Sequence, residues 1–252
     1  QAELEQSISR LNKYKQQYIK LDDTSLKEKV SYAQAVIANE NHIASEQALA
    51  DAAVTLLKNK QVLPLQLANV TSVHFVVADG QEFRAIKHAM DEIIAKVSVR
   101  ITPEISYFIA GNTDNDISFE KLISKADVVI ATVDIKTASL VDLGGMDDLI
   151  PSYGSAAHQQ QKLTYSTVLK QQLNLANKLT TPTILIAKGS PFLIDEYSEL
   201  ADSVLLNFDD RVYLDKNLQA ISPGFNASLK VIFNESEAPG VLPVTLGSIK
   251  SR

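Results

Sequence analysis

At 252 residues, with 45% hydrophobic and 21% charged side chains, the chain is long enough for one or two domains with sizeable cores. Its 24 basic and 30 acidic residues give a formal charge of -6 with no basic stripe, which excludes an electrostatic footprint for nucleic acid. Cysteine is absent, so disulfides, thiolate nucleophiles and cysteine-ligated zinc are excluded together.

Leu4, Ile8, Leu11 and Tyr18 recur at helical spacing and predict a first amphipathic helix, which Asp22 and Asp23 break. Gln1 opens directly into this helix without a charged n-region and apolar h-region, so no signal peptide is expected within these residues, while a start inside a helix leaves room for one encoded upstream. Ser25 and Glu28 fit a capping box that opens a second helix with Leu26, Val30, Ala33 and Ile37 on one face. Ser45 is predicted to cap a third, with Ala48, Leu49, Ala52, Ala53, Leu56 and Leu57 as its buried stripe.

From Val70 the pattern changes. Ser72 to Ala78 is a continuous apolar run of the kind buried on both faces of a parallel sheet. Val73, Phe75 and Val77 should face one helical layer and Val76 the other. A helix with Phe83, Ile86, Met90, Ile93 or Ile94, and Val97 follows. Further strands are predicted at Ile105 to Ala110, Asp127 to Val133, Thr183 to Ala187 and Ser203 to Phe208. Between them lie a short helix near residues 118–125 and one of about 20 residues ending near Leu179. Asn226 is predicted to cap a last helix, and the tail Gly240 to Leu246 to lie extended at a sheet edge, where Pro243 removes no needed hydrogen bond. The fold class is α/β: a three-layer αβα sandwich with a mainly parallel five- or six-stranded sheet, preceded by a helical arm. No apolar run approaches ~18 residues, so no membrane span is predicted.

Ligands of such sheets collect beyond the carboxyl ends of the strands. The loops to search start at Asp79, Gly111, Asp134, Gly189 and Asn207. The turn Lys188-Gly189-Ser190-Pro191, followed by Phe192, combines a Gly for close approach, a hydroxyl and a Pro suited to a helix start, and could receive an anion; an ordinary capped turn has the same sequence. Asp147, Asp148 and His158 lie in the long loop before the longest helix or at its end. They complete the list of cleft candidates, against the simpler reading of a solvated loop. No G-x-G-x-x-G follows the first apolar strand and no P-loop occurs. No G-x-S-x-G elbow occurs either. His42 falls in a connector, His88 on the polar face of its helix, and His74 inside a strand as a hydrogen-bonded structural residue. With His158 they show no metal spacing. No catalytic residue, metal or cofactor is predicted.

Four motifs in order carry a family resemblance: "AAVTLLKNKQVLPL", "TILIAKGSPFLI", "NASLKVIFNESEAPGVLPVTL" and the arm "SISRLNKYKQQYIKL". Together they resemble the C-terminal domain of family 3 glycoside hydrolases, closest to the β-N-acetylglucosaminidase branch, over almost the whole chain. Asn234 stands where the family often has Gly before Glu235, and Leu193 where it often has Asp, so no substrate contact is carried over.

The resemblance implies that residues 1–58 are the end of a catalytic TIM barrel plus a linker, and that residues 59–252 are the α/β domain. The family's nucleophilic Asp and the Asp-His dyad of this branch lie in the barrel and match no position here. In the β-glucosidase branch the acid/base Glu comes from the second domain. None of Glu104, Glu120, Glu196, Glu235 or Glu237 aligns with it. The implied function is a non-catalytic domain that buttresses a barrel of the same parent chain and meets carbohydrate only through it. The alternatives are an independent sugar- or protein-binding module and a small α/β hydrolytic or transfer enzyme. Self-association through the arm is a further expectation. The resemblance is compatible with a bacterial secreted, cell-surface or cytoplasmic setting.

Overall fold

The computed structural model describes residues 2–18, 24–37, 39–97, 103–109, 119–135, 156–215 and 217–246. Two compact units divide between Ser45 and Glu46. Among the described residues no helix is long and apolar enough to cross a membrane.

The first unit holds α1 (Ala2–Tyr18), α2 (Leu26–Val36) and the opening turns of α3 (Glu40–Ala53). Glu3 and Glu5 in the first turn of α1 and Lys15 in its last complement the helix dipole. Leu4, Ile8, Leu11 and Tyr18 are all exposed. The predicted capping box is present at α2: Ser25 Oγ accepts from the Glu28 backbone at 3.3 Å, and Ser25 N donates to Glu28 Oε2 at 2.9 Å. Ser45 does not cap α3. The helix starts earlier, where Asn39 Oδ1 accepts from His42 N at 3.0 Å, and Ser45 Oγ instead donates to Asn41 O within it. His42 is therefore helical rather than in a connector.

The second unit is built on a six-stranded sheet. Its strands are β1 (Thr55–Asn59), β2 (Ser72–Val77), β3 (Glu104–Ile109), β4 (Val128–Ile135), β5 (Thr183–Gly189) and β6 (Ser203–Asn207). Their spatial order is β1-β6-β5-β4-β2-β3. Every pairing is parallel except that of β1 with β6. Connecting them are α4 (Gly80–Lys96), α5 (Phe119–Ile123), α6 (Ala156–Lys178), α7 (Asp195–Ser198), the two-residue pair β7 (Tyr213–Leu214) and β8 (Ala220–Ile221), and α8 (Pro223–Ile232). The chain runs outward from β2 to β3, then returns to lay β4 on the other flank of β2. That reversal opens a crevice at the carboxyl ends of β2 and β4.

Both sheet faces are covered, which is why the central strands are apolar throughout. Val73, Phe75 and Val77 pack with Ile86, Met90 and Phe225 from α4 and α8. Val76 faces the opposite layer, with Leu169 and Leu173 of α6 and Tyr197 of α7. The alternation expected from the sequence is therefore observed.

Two ends of the sheet differ from expectation. Leu56 and Leu57 do not extend α3. They lie in the edge strand β1, paired antiparallel to β6 with Thr55 opposite Leu206, and Leu49 of α3 is exposed. β-branched Val54 and Thr55 favour extended backbone, and β6 offers an unpaired row of amides and carbonyls that β1 satisfies. The expected boundary after residue 58 falls inside this strand. The tail adds no strand. It begins with Gly240 N donating to Val54 O at 2.9 Å, then sends Leu242 and Leu246 into the core. At α8, Ser222 rather than Asn226 is the cap: Pro223 takes the first helical position and Ser222 Oγ accepts from Phe225 N at 3.4 Å.

Gly240 fits its place because it lacks a side chain. A Cβ there would lie 2.3 Å from Thr55 Oγ1 and 2.5 Å from Ala53 O. Gly240→Ala must push the closing segment off β1, and urea unfolding should show a loss of about 1–3 kcal/mol. A change below ~0.5 kcal/mol would mean that the contact does not fix the segment.

His74 is fully buried in β2, where Nδ1 shares a 2.9 Å hydrogen bond with Ser106 Oγ of β3. Burial pushes its pKa from 6.5 down to about 4, and the amide of Gln172 on α6 offsets little of that. The folded state therefore holds the ring neutral, while the unfolded chain takes up a proton near 6.5. This contribution is complete above pH 6.5 and fades as pH falls towards 4, by roughly 3 kcal/mol at ~1.4 per pH unit. His74→Gln should lower stability at pH 7 and remove that part of the acid sensitivity. Parallel stability-against-pH curves for the two proteins would refute the assignment.

Candidate functional site

The carboxyl edge of the sheet is organised around one buried ion pair. Asp79, just past β2, caps α4, its Oδ1 accepting from Gln81 N at 2.7 Å and Glu82 N at 2.9 Å. That cap places Glu82 in the first helical turn, where the helix dipole favours a carboxylate. Glu82 Oε2 accepts from Thr132 Oγ1 of β4 at 2.8 Å and from Ala78 N at 3.1 Å. Its Oε1 pairs with Lys188 Nζ at the end of β5, and both residues are 4% exposed. The ammonium also sits over the Phe225 ring, 5.5 Å from its centre.

Tyr165 of α6 closes the group by donating to the Thr132 carbonyl. Burial, reinforced by the charge on Glu82, pushes the Tyr165 hydroxyl well above its ordinary range, so it stays a donor. Both Glu82 oxygens are occupied and neither charge faces solvent. The arrangement ties β2, β4, β5 and α4 together at the crevice, and leaves Glu82 no free oxygen for general-base work.

Four of the sequence-predicted residues sit beside this pair. Gly189 has φ 82°, a conformation that favours glycine, and turns the chain out of β5. Ser190 precedes a three-residue 3-10 turn with Pro191 at its start, and its side chain makes no capping hydrogen bond. Phe192 is 63% exposed. The expected helix start is present, but three residues are too few for a helix dipole that would hold an anion. Asp147 and Asp148 lie outside the described residues. His158 falls in the first turns of α6, and its side chain lies outside the described set.

A second feature opens at the carboxyl end of β6. A cavity of about 300 Å³ lies between the last turns of α3, the loop leaving β6 and the start of α8 at Gly224. Leu49, Ala50, Ala53 and Phe208 form its apolar side. On the polar side Arg211 bridges two carboxylates, Glu46 at 2.7 Å and Asp209 at 2.8 Å. Tyr213 donates to the other Glu46 oxygen at 3.1 Å, and burial, more than that bond, lifts its pKa to about 12.

Sequence reading flagged the loops at Asp79, Gly189 and Asn207 but not Glu82, Thr132 or the Glu46–Arg211–Asp209 bridge. One signal was available. A lysine ending an otherwise apolar strand requires a buried partner, and an acid in the first turn of the preceding helical layer is the natural supplier.

Comparison with known proteins gives a consistent kinship. The chain is 30% identical over 250 residues to beta-hexosaminidase A of Pseudoalteromonas piscicida, covering 98% of this chain and 39% of that protein. In fold it is similar to a fungal multi-domain GH3 beta-N-acetylglucosaminidase (TM-score 0.60, 19% identity), over 99% of this chain and 24% of that one. It is also similar to the beta-glucosidase of Listeria innocua in complex with glucose (TM-score 0.53, 16% identity), over 82% of this chain and 27% of that one. A third neighbour is a glycoside hydrolase family 3 beta-glucosidase from Neurospora crassa (TM-score 0.54, 13% identity), over 84% and 26%. No family model matches the chain. The chain thus spans about two fifths of the hexosaminidase and about a quarter of the structural neighbours. Sequence and fold together carry its resemblance to the C-terminal domain of family 3 glycoside hydrolases.

The ion pair gives a direct test of the edge. Lys188→Met strands a buried carboxylate and should cost about 3–5 kcal/mol in chemical denaturation. Adding Glu82→Gln should recover a large part of that loss, because no buried charge is then left unpaired. A single-variant loss under ~1 kcal/mol, or no recovery in the double variant, would show that the pair is not a buried lock.

Proposed function

We propose that this chain is the non-catalytic C-terminal domain of a β-N-acetylglucosaminidase-like family 3 glycoside hydrolase, inactive by itself. The observation that carries the reading is the asymmetry of the kinship: 98% of this chain aligns with 39% of the hexosaminidase. The residues before β1 are then the last barrel helix and the linker, and the α/β sheet buttresses the barrel and walls its cleft.

Chemistry supports the same reading. Glycoside hydrolysis uses two carboxyl groups flanking one bond, ~5–9.5 Å apart. At the described part of the crevice, Glu82 is committed to Lys188, Thr132 and the Ala78 amide. The exposed α1 stripe of Leu4, Ile8, Leu11 and Tyr18 suits a face meant for burial, at ~1.5–3 kcal/mol per side chain. The cavity beside Arg211 favours a second reading, an independent sugar- or protein-binding module.

The purified chain should not turn over an aryl β-N-acetylglucosaminide or an aryl β-glucoside. Each missing acid–base contribution is worth ~10²–10⁴-fold. A chain extended towards the full length of the hexosaminidase should be active on the former substrate. Turnover by the present chain above buffer, abolished by Asp148→Ala or His158→Ala, would place catalysis in this domain and overturn the proposal.

A further inference from the structure

We propose that α1 pairs antiparallel with α1 of a second copy of this chain. The helix presents one continuous stripe. Leu4, Ile8, Leu11, Lys15 and Tyr18 follow one another at alternating spacings of four and three, the pattern of a two-helix seam in which every place but one is apolar. Tyr14 stacks on Tyr18 along its margin, with ring centres 6.1 Å apart. The five apolar side chains are between 48% and 71% exposed, so none of the described residues covers the stripe. A helix of 17 residues offers a strip roughly 25 Å long, and taking its apolar area out of water is favourable.

Charge selects the occupant and its direction. Glu3 and Glu5 stand in the first turn of α1, and Arg10, Lys13 and Lys15 follow towards its other end. A parallel pair would bring Lys15 against Lys15 inside an apolar seam. In an antiparallel pair with the two Leu11 side chains at the dyad, each Leu4 meets the other copy's Tyr18. Lys15 then comes beside the other copy's Glu5, which at roughly 100° of turn per residue lies on the same flank of the stripe. The surface is thus complementary to itself, as a two-fold contact between identical patches requires. A wholly apolar partner would instead leave the Lys15 ammonium desolvated without an anion.

The pair is a property of this chain and rests on no part of the reading above; in the proposed parent the barrel would compete for the same stripe. Two helices of this length bury less than the ~1,200 Å² at which stable interfaces start, so the copies should associate and part with concentration.

Sedimentation of the full chain between about 10 µM and about 1 mM should show a monomer–dimer equilibrium. Leu11→Glu sets two carboxylates at the dyad and should weaken the dimer at least ~tenfold. Position 11 is exposed in the single chain, so its circular dichroism and urea midpoint should stay unchanged. Glu5→Lys and Lys15→Glu should each weaken the pair severalfold, and the double exchange should restore it, because these two charges meet only across the pair. The chain has no cysteine, so single spin labels report the direction. Labels at Asn12→Cys would be offset along the pair by about 3 Å and labels at Gln16→Cys by about 15 Å, so the distance between copies should be longer at position 16. A strict monomer across that range, a dimer that Leu11→Glu leaves intact, no recovery in the double exchange, or equal distances at the two labelled sites would each overturn the proposal.

Discussion

The Lys188–Glu82 pair is the constraint on which the carboxyl edge depends. A charged pair taken out of water is tolerable only when every remaining lone pair and proton is used. Here the requirement is met by elements far apart in sequence: Thr132 from β4, the Ala78 amide at the end of β2, and the Phe225 ring from α8. The two charged residues are 106 positions apart. The pair therefore fixes β5 against the first turn of α4, and through Thr132 against β4. Gly189 leaves β5 in the left-handed region immediately after Lys188, so the direction of the exposed turn carrying Phe192 depends on the same lock.

At the opposite flank the second unit closes on itself by backbone contacts rather than by charge. β1 covers the otherwise open edge of β6, and an edge strand left bare is a template for association. Gly240 then joins the chain's last described segment to Val54, where the helix α3 gives way to β1. Leu242 and Leu246 follow into the same core as Val76 and Leu173. The sheet is thus bounded by a short antiparallel strand and a strap that has no ladder of its own.

Much of this architecture could be read from residue order. The run from Ser72 to Val77 announces a strand buried on both faces, and its register places Val73, Phe75 and Val77 opposite Val76, as observed. What failed were positions where two local signals compete. Leu56 and Leu57 continue the helical spacing of α3, yet the pairing demand of β6 and the β-branched Val54-Thr55 decide for a strand. Asn226 and Ser222 are both good caps, and Pro223 settles the choice because it suits the first helical position. At the site, the turn at Gly189 was legible as local chemistry. Its partner Glu82 was not, since nothing local links an acid after β2 to a lysine ending β5.

The ion pair also explains where a ligand can and cannot enter. In doubly wound sheets the reversal of strand order opens a crevice at the carboxyl ends, which is the usual ligand position. Here the protein's own ammonium and carboxylate occupy the walls of that crevice, with Tyr165 held as a donor behind them. A guest at this point would have to replace interactions already complete and desolvated, at a cost of several kcal/mol. The end of β6 is the reverse case. Asp209 and Asn207 there retain acceptors with no partner, beside a cavity with an apolar lip. Satisfied polar groups make the centre of the edge a structural lock, a completeness that the acceptors of Asn207 and Asp209 at its flank lack.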